Sequence, residues 1–499
     1  MKKPELKPAS TEVAAPGRAA VAVMDAPVLH WFRVDLRARD NAALAEASRV
    51  SGGRVVGLYV VSPEDWIRHD DAPVKVRFML RALADLASTL ARLNILLVIR
   101  TANHLENVPG IVADLAEEIG ATVVFANRQY EVDEAARDEA VAALLRVRGV
   151  RLALHHDQAI MPPTTVMTGA GTAYTVFTPF KKRWLKAIGA AGVFVMHPAP
   201  RMQSAFKLSV ARGTLTDALA AFQSDVPELM WIATERGALQ RLQRFAAEAM
   251  REYSVGRDRF QVDGTSVLSP YLTAGVISAR ECLAAALGGT AVSDFAELSP
   301  GAQTWVGELI WRDFYKQVLY HFPRVSRGRA FKPATERIAW IESPAQEGAW
   351  QAGRTGVPIV DAAMRALLAT GWMHNRLRMV TAMYFCKDLF LDWRRGERWF
   401  MRHLIDGDLS QNNGGWQWCA SVGTDAAPYF RIFNPVAQSR RFNPEGEYIR
   451  RWVPELATLG AKSIHDPSAA ERSACGYPAP IAARDGVRER VVAAFRAIR

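Results

Sequence analysis

Five short, almost wholly apolar runs follow one another early in the chain, at 28–32, 54–61, 95–99, 122–126 and 151–154, with helix-like stretches between them. That alternation predicts a βαβ domain built on a parallel sheet. Over 77–93, Leu80, Leu83, Leu86, Leu90 and Leu93 recur at three- and four-residue spacing, as an amphipathic helix covering such a sheet requires. A sheet of this kind leaves a nucleotide-sized crevice at the C-terminal edge of its strands. No Gly-x-Gly-x-x-Gly follows the first run, so a Rossmann dinucleotide site is not expected there.

The rhythm stops at residue 158, where Pro162, Pro163, Pro179, Pro198 and Pro200 are scattered among Gly, Ser and Thr. Beyond this connector the patterns are helical, at 237–253, 278–287, 304–321, 360–368 and 376–393. The expected fold class is therefore α/β plus all-α, a doubly wound parallel-sheet domain joined by a long connector to an all-helical one. Its parts are a disordered leader (1–27), the α/β domain (28–157), the connector (158–236) and the helical domain (237–499). The leader is broken by Pro, Glu, Arg and Asp and lacks a signal-peptide core, and no apolar run reaches the roughly 18 residues of a membrane span. An excess of 62 Lys and Arg over 51 Asp and Glu leaves a charge of +11, which favours an anionic partner, nucleic acid foremost. Cys282, Cys386, Cys419 and Cys475 stand far apart with no Cys-x-x-Cys, so neither a disulfide framework nor a zinc site is indicated and a reducing cytosol fits.

Chemistry concentrates near the C-terminus. The run Asp406-Gly407-Asp408-Leu-Ser-Gln-Asn412-Asn-Gly-Gly-Trp416-Gln-Trp418 reads as loop-rich and mixes acids, amides, glycines and indoles, which suits a lined cavity better than an ordinary core. Asp406-x-Asp408-x-Ser410-x-Asn412 imitates a calcium loop but fails it, with Gln411 at the glycine position and Gln417 at the bidentate glutamate position. The helix expected over 376–393 is apolar nearly all round, so Arg376 and Arg378 at its start need an anion, with Asp406, Asp408 or a bound phosphate the nearest candidates. The turn Asp263-Gly-Thr265-Ser266-Val267-Leu268-Ser269-Pro has hydroxyls and N–H groups suited to phosphate oxygens, or to simple capping. Glu308, Trp311, Arg312 and Tyr315, at i, i+3, i+4 and i+7, share one helical face and suggest a recognition surface.

Taken in order, Glu308-Leu-Ile-Trp-Arg-Asp-Phe-Tyr, Gly371-Trp-Met-His-Asn-Arg-Leu-Arg-Met379, Asp406-Gly-Asp, Asn412-Asn-Gly-Gly-Trp-Gln-Trp418 and the stretch 423–435 resemble the class I cyclobutane pyrimidine dimer DNA photolyases. His30-Trp-Phe-Arg33-x-Asp35-Leu-Arg37 is similar to that family's opening strand and loop, and the likeness runs over about 28–480. It implies one reduced FAD per chain, bound in a U shape by the helical domain. On the phosphate side the resemblance marks Tyr253, Thr265, Ser266, Val267, Leu268 and Ser269; nearer the flavin it marks Glu308, Arg312, Asn375, Arg378, Asp406, Gly407, Asp408 and Asn412. Arg378 is expected to pair with Asp406, and Asn412 to face flavin N5. The implied reaction is light-driven electron donation from reduced flavin to a dimer flipped out of DNA.

For the dimer, the resemblance implies stacking by Trp311 and Trp418, a hydrogen bond from Glu308, and pocket walls at Asn375 and Met379. Arg257, Arg312, Arg376 and Arg431 correspond to cations near DNA phosphates, and Trp416, Trp393 and Trp340 to the chain that photoreduces the flavin. The implied partner is single- or double-stranded DNA carrying pyrimidine dimers, met by a cytoplasmic monomer that joins the nucleoid when bound. For a light-harvesting antenna, Asp133 and Glu134 resemble a 5,10-methenyltetrahydrofolate contact, although Asp133 stands where relatives often have Asn and Ser326-Arg327 replaces a Cys-Lys pair. A deazaflavin, or no antenna, stays open. The alternative is a cryptochrome-type photoreceptor without repair activity. Asn412, where plant cryptochromes have Asp, argues against it, and no long C-terminal extension is expected past Arg499. A (6-4) photolyase needs a histidine pair, and Met373-His374-Asn375 offers one.

Overall fold

The computed structural model describes residues 26–189, 194–206 and 208–498, so nearly all of the expected leader lies outside the described residues. Strands β1 (Val28–Phe32), β2 (Val55–Val61), β3 (Leu96–Thr101), β4 (Val123–Asn127) and β5 (Arg151–His155) form one parallel sheet in the order β3-β2-β1-β4-β5. Alternate residues feed two cores. Val28, Phe32, Val55 and Tyr59 pack with Ala43 and Leu44 of α1 (Ala42–Val50) and with Leu80, Leu83 and Leu86 of α2 (Pro73–Arg92). Leu29, Trp31, Val56 and Leu58 pack with Val112 and Ala116 of α3 (Val108–Glu118) and with Val141 and Leu145 of α4 (Val132–Val147). Burial on both faces explains why the strands read as unbroken apolar runs.

Helices beyond the sheet that bear on the site are α5 (Phe177–Gly189), α6 (Pro300–His321), α7 (Asn375–Met383), α8 (Trp393–Met401) and α9 (Leu409–Ala420). The α5 helix lies within the expected connector and docks on α6. Buried Asp313 of α6 accepts from Trp184 Nε1 (2.9 Å), Ile160 N (3.0 Å) and Met161 N (3.2 Å).

A buried ion network joins the sheet domain to the helices. Arg280 donates to Asp157 (2.6 Å) and to Asp40 (2.8 Å), while Arg37 donates to Asp157 (2.5 Å) and to the Gly275 carbonyl (3.1 Å). Burial alone would raise the Asp157 carboxyl, but Arg37 and Arg280 more than offset it and hold it well below the usual carboxylate range.

Two expectations change. The single helix over 376–393 is broken: α7 ends at Met383, a π-helical turn covers Tyr384–Asp388, Phe390 is left-handed at φ 57°, and Asp392 caps the new helix α8 by accepting from Arg394 N. Apolar content all round marks burial whether or not the helix continues, so it could not reveal this break. The loop-rich run at 406–418 is largely helix α9, because the Asp408 carboxylate caps it, accepting from Ser410 N (2.9 Å) and Gln411 N (3.3 Å). Gly414 serves close packing, since a Cβ there would lie 2.3 Å from the Tyr315 ring of α6, whereas Gly415 faces open space.

The π-helical turn buries Lys387 without a carboxylate. Its Nζ donates to Ser421 Oγ (2.9 Å) and the Ala420 carbonyl (3.3 Å) at the end of α9, and lies 4.7 Å from the centroid of the Phe495 ring. Burial lowers its pKa to about 8 from the ordinary 10.5. The unfolded chain therefore binds the more protons between those values, and wild-type stability rises with pH across that window. Relative to Lys387→Met, the wild type should gain up to about 3 kcal/mol between pH 7 and pH 10.5. Denaturant melts of both proteins at the two pH values check this; a constant difference would contradict it.

Candidate functional site

Helix α9 is the hub, contacted by α6, α7 and α8. Residues of the three sequence clusters, separated by up to a hundred positions, thereby meet around one helix.

At its N-terminal end, buried Asp406 receives Arg378 Nη2 on both carboxylate oxygens (2.9 and 2.7 Å), while Arg378 Nε donates to the Met373 carbonyl (2.7 Å). Asp408 is turned inward to Lys316 of α6 at 2.8 Å. Burial would raise its carboxyl, but Lys316 and then Arg312 hold it well below the usual range. Both Asp406 and Asp408 were candidate partners for the arginine pair, yet Arg376 pairs with neither. It binds Asp258 (2.6 Å), and its guanidinium lies over Phe442. The buried His374 before it is neutral, its pKa lowered to about 4 by burial, and caps α7 by accepting from Arg376 N (3.1 Å).

One turn into α9, the Asn412 amide nitrogen donates to the Glu397 carbonyl (2.9 Å) and to Glu397 Oε1 (3.3 Å), leaving its oxygen without a donor among the described residues. Glu397 is raised to about 7, chiefly by burial and with the Asn412 bond opposing. An amide held by its nitrogen presents its oxygen as acceptor, the polarity that a protonated flavin nitrogen needs. This fits the expected FAD contact. The sequence reading missed Glu397, whose only signal was an acid within the basic run Trp393-Arg-Arg-Gly-Glu397-Arg.

Trp416 is buried with its Nε1 unpartnered, and packs so closely on α8 that a Cβ on Gly396 would lie 2.2 Å from its ring. Trp393, on the same turn of α8 as Gly396, is also buried, whereas Trp340 is half-buried against Phe390 at 4.9 Å. Two of the three indoles are thus buried and the third is partly exposed. The other end of α9 carries half-buried Trp418, and Cys419 Sγ there contacts the Met379 carbonyl of α7 at 3.9 Å.

On α6, Glu308 forms an ion pair with Arg257, whose guanidinium lies 5.7 Å from the buried Tyr253 ring. Burial raises the Glu308 carboxyl, with Arg257 and Lys181 opposing. Trp311 is half-buried and stacks on Phe177 with centroids 3.6 Å apart. Arg312 points elsewhere, donating to the Gln158 carbonyl beside the cleft between the domains. The turn 263–269 is braced by Arg241, also missed in sequence, which donates to Ser266 O (2.8 Å) and Asp263 (2.7 Å). Val267 is left-handed at φ 48°, Leu268 is buried, and Ser269 accepts from Trp372 Nε1 (3.2 Å). Asn375 and Arg431 are exposed.

A cleft of about 490 Å³ separates the sheet edge from the helices, and its lining includes Trp31, Arg33, Asp133, Glu134, Arg312, Gly407 and Asp408. The other flavin-side candidates do not line it. His69 lies between Asp133 (3.2 Å) and Glu134 (3.6 Å), while Ser326 accepts from Val132 N (3.1 Å).

Comparison with known proteins bears on this arrangement. Residues 28–203 match the family model described as DNA photolyase, and residues 305–497 match the FAD binding domain of DNA photolyase. A deoxyribodipyrimidine photo-lyase of Escherichia coli is 43% identical over 476 residues, covering 94% of this chain and 98% of that protein. The chain belongs to the DNA photolyase family. A photo-lyase of Vibrio cholerae is likewise 43% identical, over 88% of this chain and 92% of its own length. Among solved structures, a class III photolyase from Agrobacterium tumefaciens superposes at a TM-score of 0.82 with 33% identity, covering 97% of this chain and 99% of that one. A Synechocystis cryptochrome gives 0.81 with 27% identity over 95% and 99%. Cryptochromes share the fold, so the assignment of activity rests on the photo-lyase relatives. The photolyase binds FAD through its helical half, where Arg378–Asp406 and the oriented Asn412 amide lie.

Proposed function

We propose that this photolyase splits cyclobutane pyrimidine dimers in DNA under blue or near-UV light, using one reduced FAD per chain. The observation that carries the site assignment is the convergence on α9. Helix α9 carries Asn412, Trp416 and Trp418, begins just after Asp406, and is packed by α6 with Glu308 and Trp311, by α7 and by α8, which supports a flavin and lesion site around it. When bound, excited reduced FAD supplies the electron that opens the cyclobutane ring and regains it afterwards.

The protein's residues do the rest. Arg378 and Asp406 hold the flavin, with Tyr253 and the turn 265–269 on its phosphate side, and Asn412 accepts from N5. Extruding the dimer costs a few kcal/mol, less for a damaged pair, and stacking on Trp311 and Trp418 at about 1–3 kcal/mol per base offsets it. Met379 and Asn375 wall the pocket. Arg257, Arg376 and Arg431 attract phosphate and read no sequence; Arg312, turned to the Gln158 carbonyl, is not placed among them. Trp340, Trp393 and Trp416 carry an electron inward to restore the reduced flavin. The partition we propose is an α/β domain (28–157), a connector (158–236) and a helical domain (237–499). Asp133, Glu134 and His69 make the cleft between the domains the candidate seat of a folate antenna. The protein acts as a monomer, associated with the nucleoid when bound to DNA.

Glu308, on the α6 face that also carries Trp311 and paired there with Arg257, is the group we assign to hydrogen-bond the dimer and stabilise the charge that develops on it. Glu308→Ala should cut dimers repaired per dimer bound severalfold while keeping full FAD content, measured by flash repair on a reduced, substrate-saturated enzyme. An unchanged yield would remove this role.

A further inference from the structure

The connecting segment before α6 reaches both walls of the lesion pocket. The Phe177 ring lies flat on the Trp311 indole of α6, with centroids 3.6 Å apart and planes within 6°. Its backbone N–H donates to Asp425 Oδ2 (3.1 Å), and two residues earlier the Thr175 carbonyl accepts from Thr424 Oγ1 (2.7 Å). Asp425 and Thr424 belong to the loop that leaves α9 just after Trp418, and Ala427 N closes that loop onto the Trp418 carbonyl (3.2 Å). Asp425 is left-handed at φ 42°, a conformation that aspartate tolerates better than most residues. Phe177 also meets Phe314 edge-on at 5.9 Å, and its helix α5 is held on α6 by Phe180 against Phe314 at 5.2 Å and by the Trp184–Asp313 hydrogen bond.

We propose that Phe177, tethered to Asp425, is a positioning residue for lesion recognition that holds the Trp311 and Trp418 walls at a fixed separation. The proposal rests on the reading of Trp311 as a base-stacking wall. With one face covered by Phe177, the indole can meet a base only through its other face or its edge. Phe314 and Tyr315, each 5.6 Å from Trp311, hem it further, so the ring stays in one orientation. Extruded bases then find a preformed slot. Without Phe177, part of the stacking energy would go into ordering Trp311. Undamaged DNA leaves its bases in the duplex and never uses the slot.

The test is equilibrium binding by the FAD-loaded full chain to a duplex with one thymine dimer and to the same duplex undamaged. Phe177→Ala should weaken dimer binding about three- to tenfold while changing undamaged binding by less than about twofold. Phe177→Tyr should restore the affinity, Asp425→Ala should follow Phe177→Ala, and Asp425→Asn, which keeps an acceptor, should not. Trp311→Ala is measured alongside. If it loses dimer affinity and Phe177→Ala does not, the positioning role fails alone. Equal loss on both duplexes overturns it as well, marking Phe177 as a general DNA contact. Normal dimer binding by Trp311→Ala removes the stacking wall, and this proposal with it. If Phe177→Ala does not retain FAD, the two Asp425 variants decide the question in the same way.

Discussion

Asp408→Ala is expected to destabilise the protein by about 3 kcal/mol at neutral pH, and to lose flavin as α9 loosens. The carboxylate both caps α9 and neutralises Lys316, whose side chain is only 3% exposed. Removing one partner of a buried pair costs about 3–5 kcal/mol, and an N-cap about 0.5–2. Glu131, 3.6 Å from Lys316, would take over part of the charge, which sets the expectation at the low end. Asp408→Asn keeps a cap acceptor but no charge and should fall between. The carboxyl lies below its unfolded value of 3.8, so its stabilisation is complete above that value and is lost as pH falls through the folded one. The gap between variant and wild type should therefore start to narrow below pH 3.8 and close only below the folded value. Thermal melts at pH 7 and near pH 3 measure this; equal midpoints at pH 7 would refute the assignment.

Arg378→Ala should reduce FAD affinity on the order of a hundredfold, because truncating one side of a buried charged pair costs about 2–5 kcal/mol. Asp406, with its side chain 3% exposed, would lose its guanidinium partner beside the proposed flavin site. Arg378→Lys should rescue little, since one ammonium must replace Nη2 on Asp406 and Nε on the Met373 carbonyl together. Flavin absorbance per protein after gel filtration reads the outcome. Full retention in Arg378→Ala would separate this pair from cofactor binding.

Much of the architecture was legible because it follows from local periodicity. Each of the five apolar runs lies within two residues of an observed strand, and the leucines over 80–90 cover the sheet in α2. The candidate residues themselves came from motif resemblance, since acids and indoles in a run do not announce their neighbours. What stayed hidden depends on long-range pairing. Arg376 finds Asp258, 118 positions away, and Arg280 clamps Asp40 and Asp157 from 240 and 123 positions away. Neither distance leaves a trace in sequence spacing. Gly414 and Gly415 suggested a loop where the chain needed a thin place for Tyr315 to approach α9, and a single cap residue, Asp408, decided helix over loop. The break after Met383 was invisible for the opposite reason, because every residue around it is buried on either side.

We propose that light acts through a reduced flavin beside α9 to reverse dimers in DNA. Dimer content is measured in an irradiated oligonucleotide incubated with dithionite-reduced, FAD-loaded protein, in blue light and in the dark. Dimers should be lost only in the light, and reduced Trp393→Phe should repair equally well, because chemical reduction bypasses the tryptophan chain. Repair in the dark, or none in the light by fully reduced and DNA-bound protein, would contradict it.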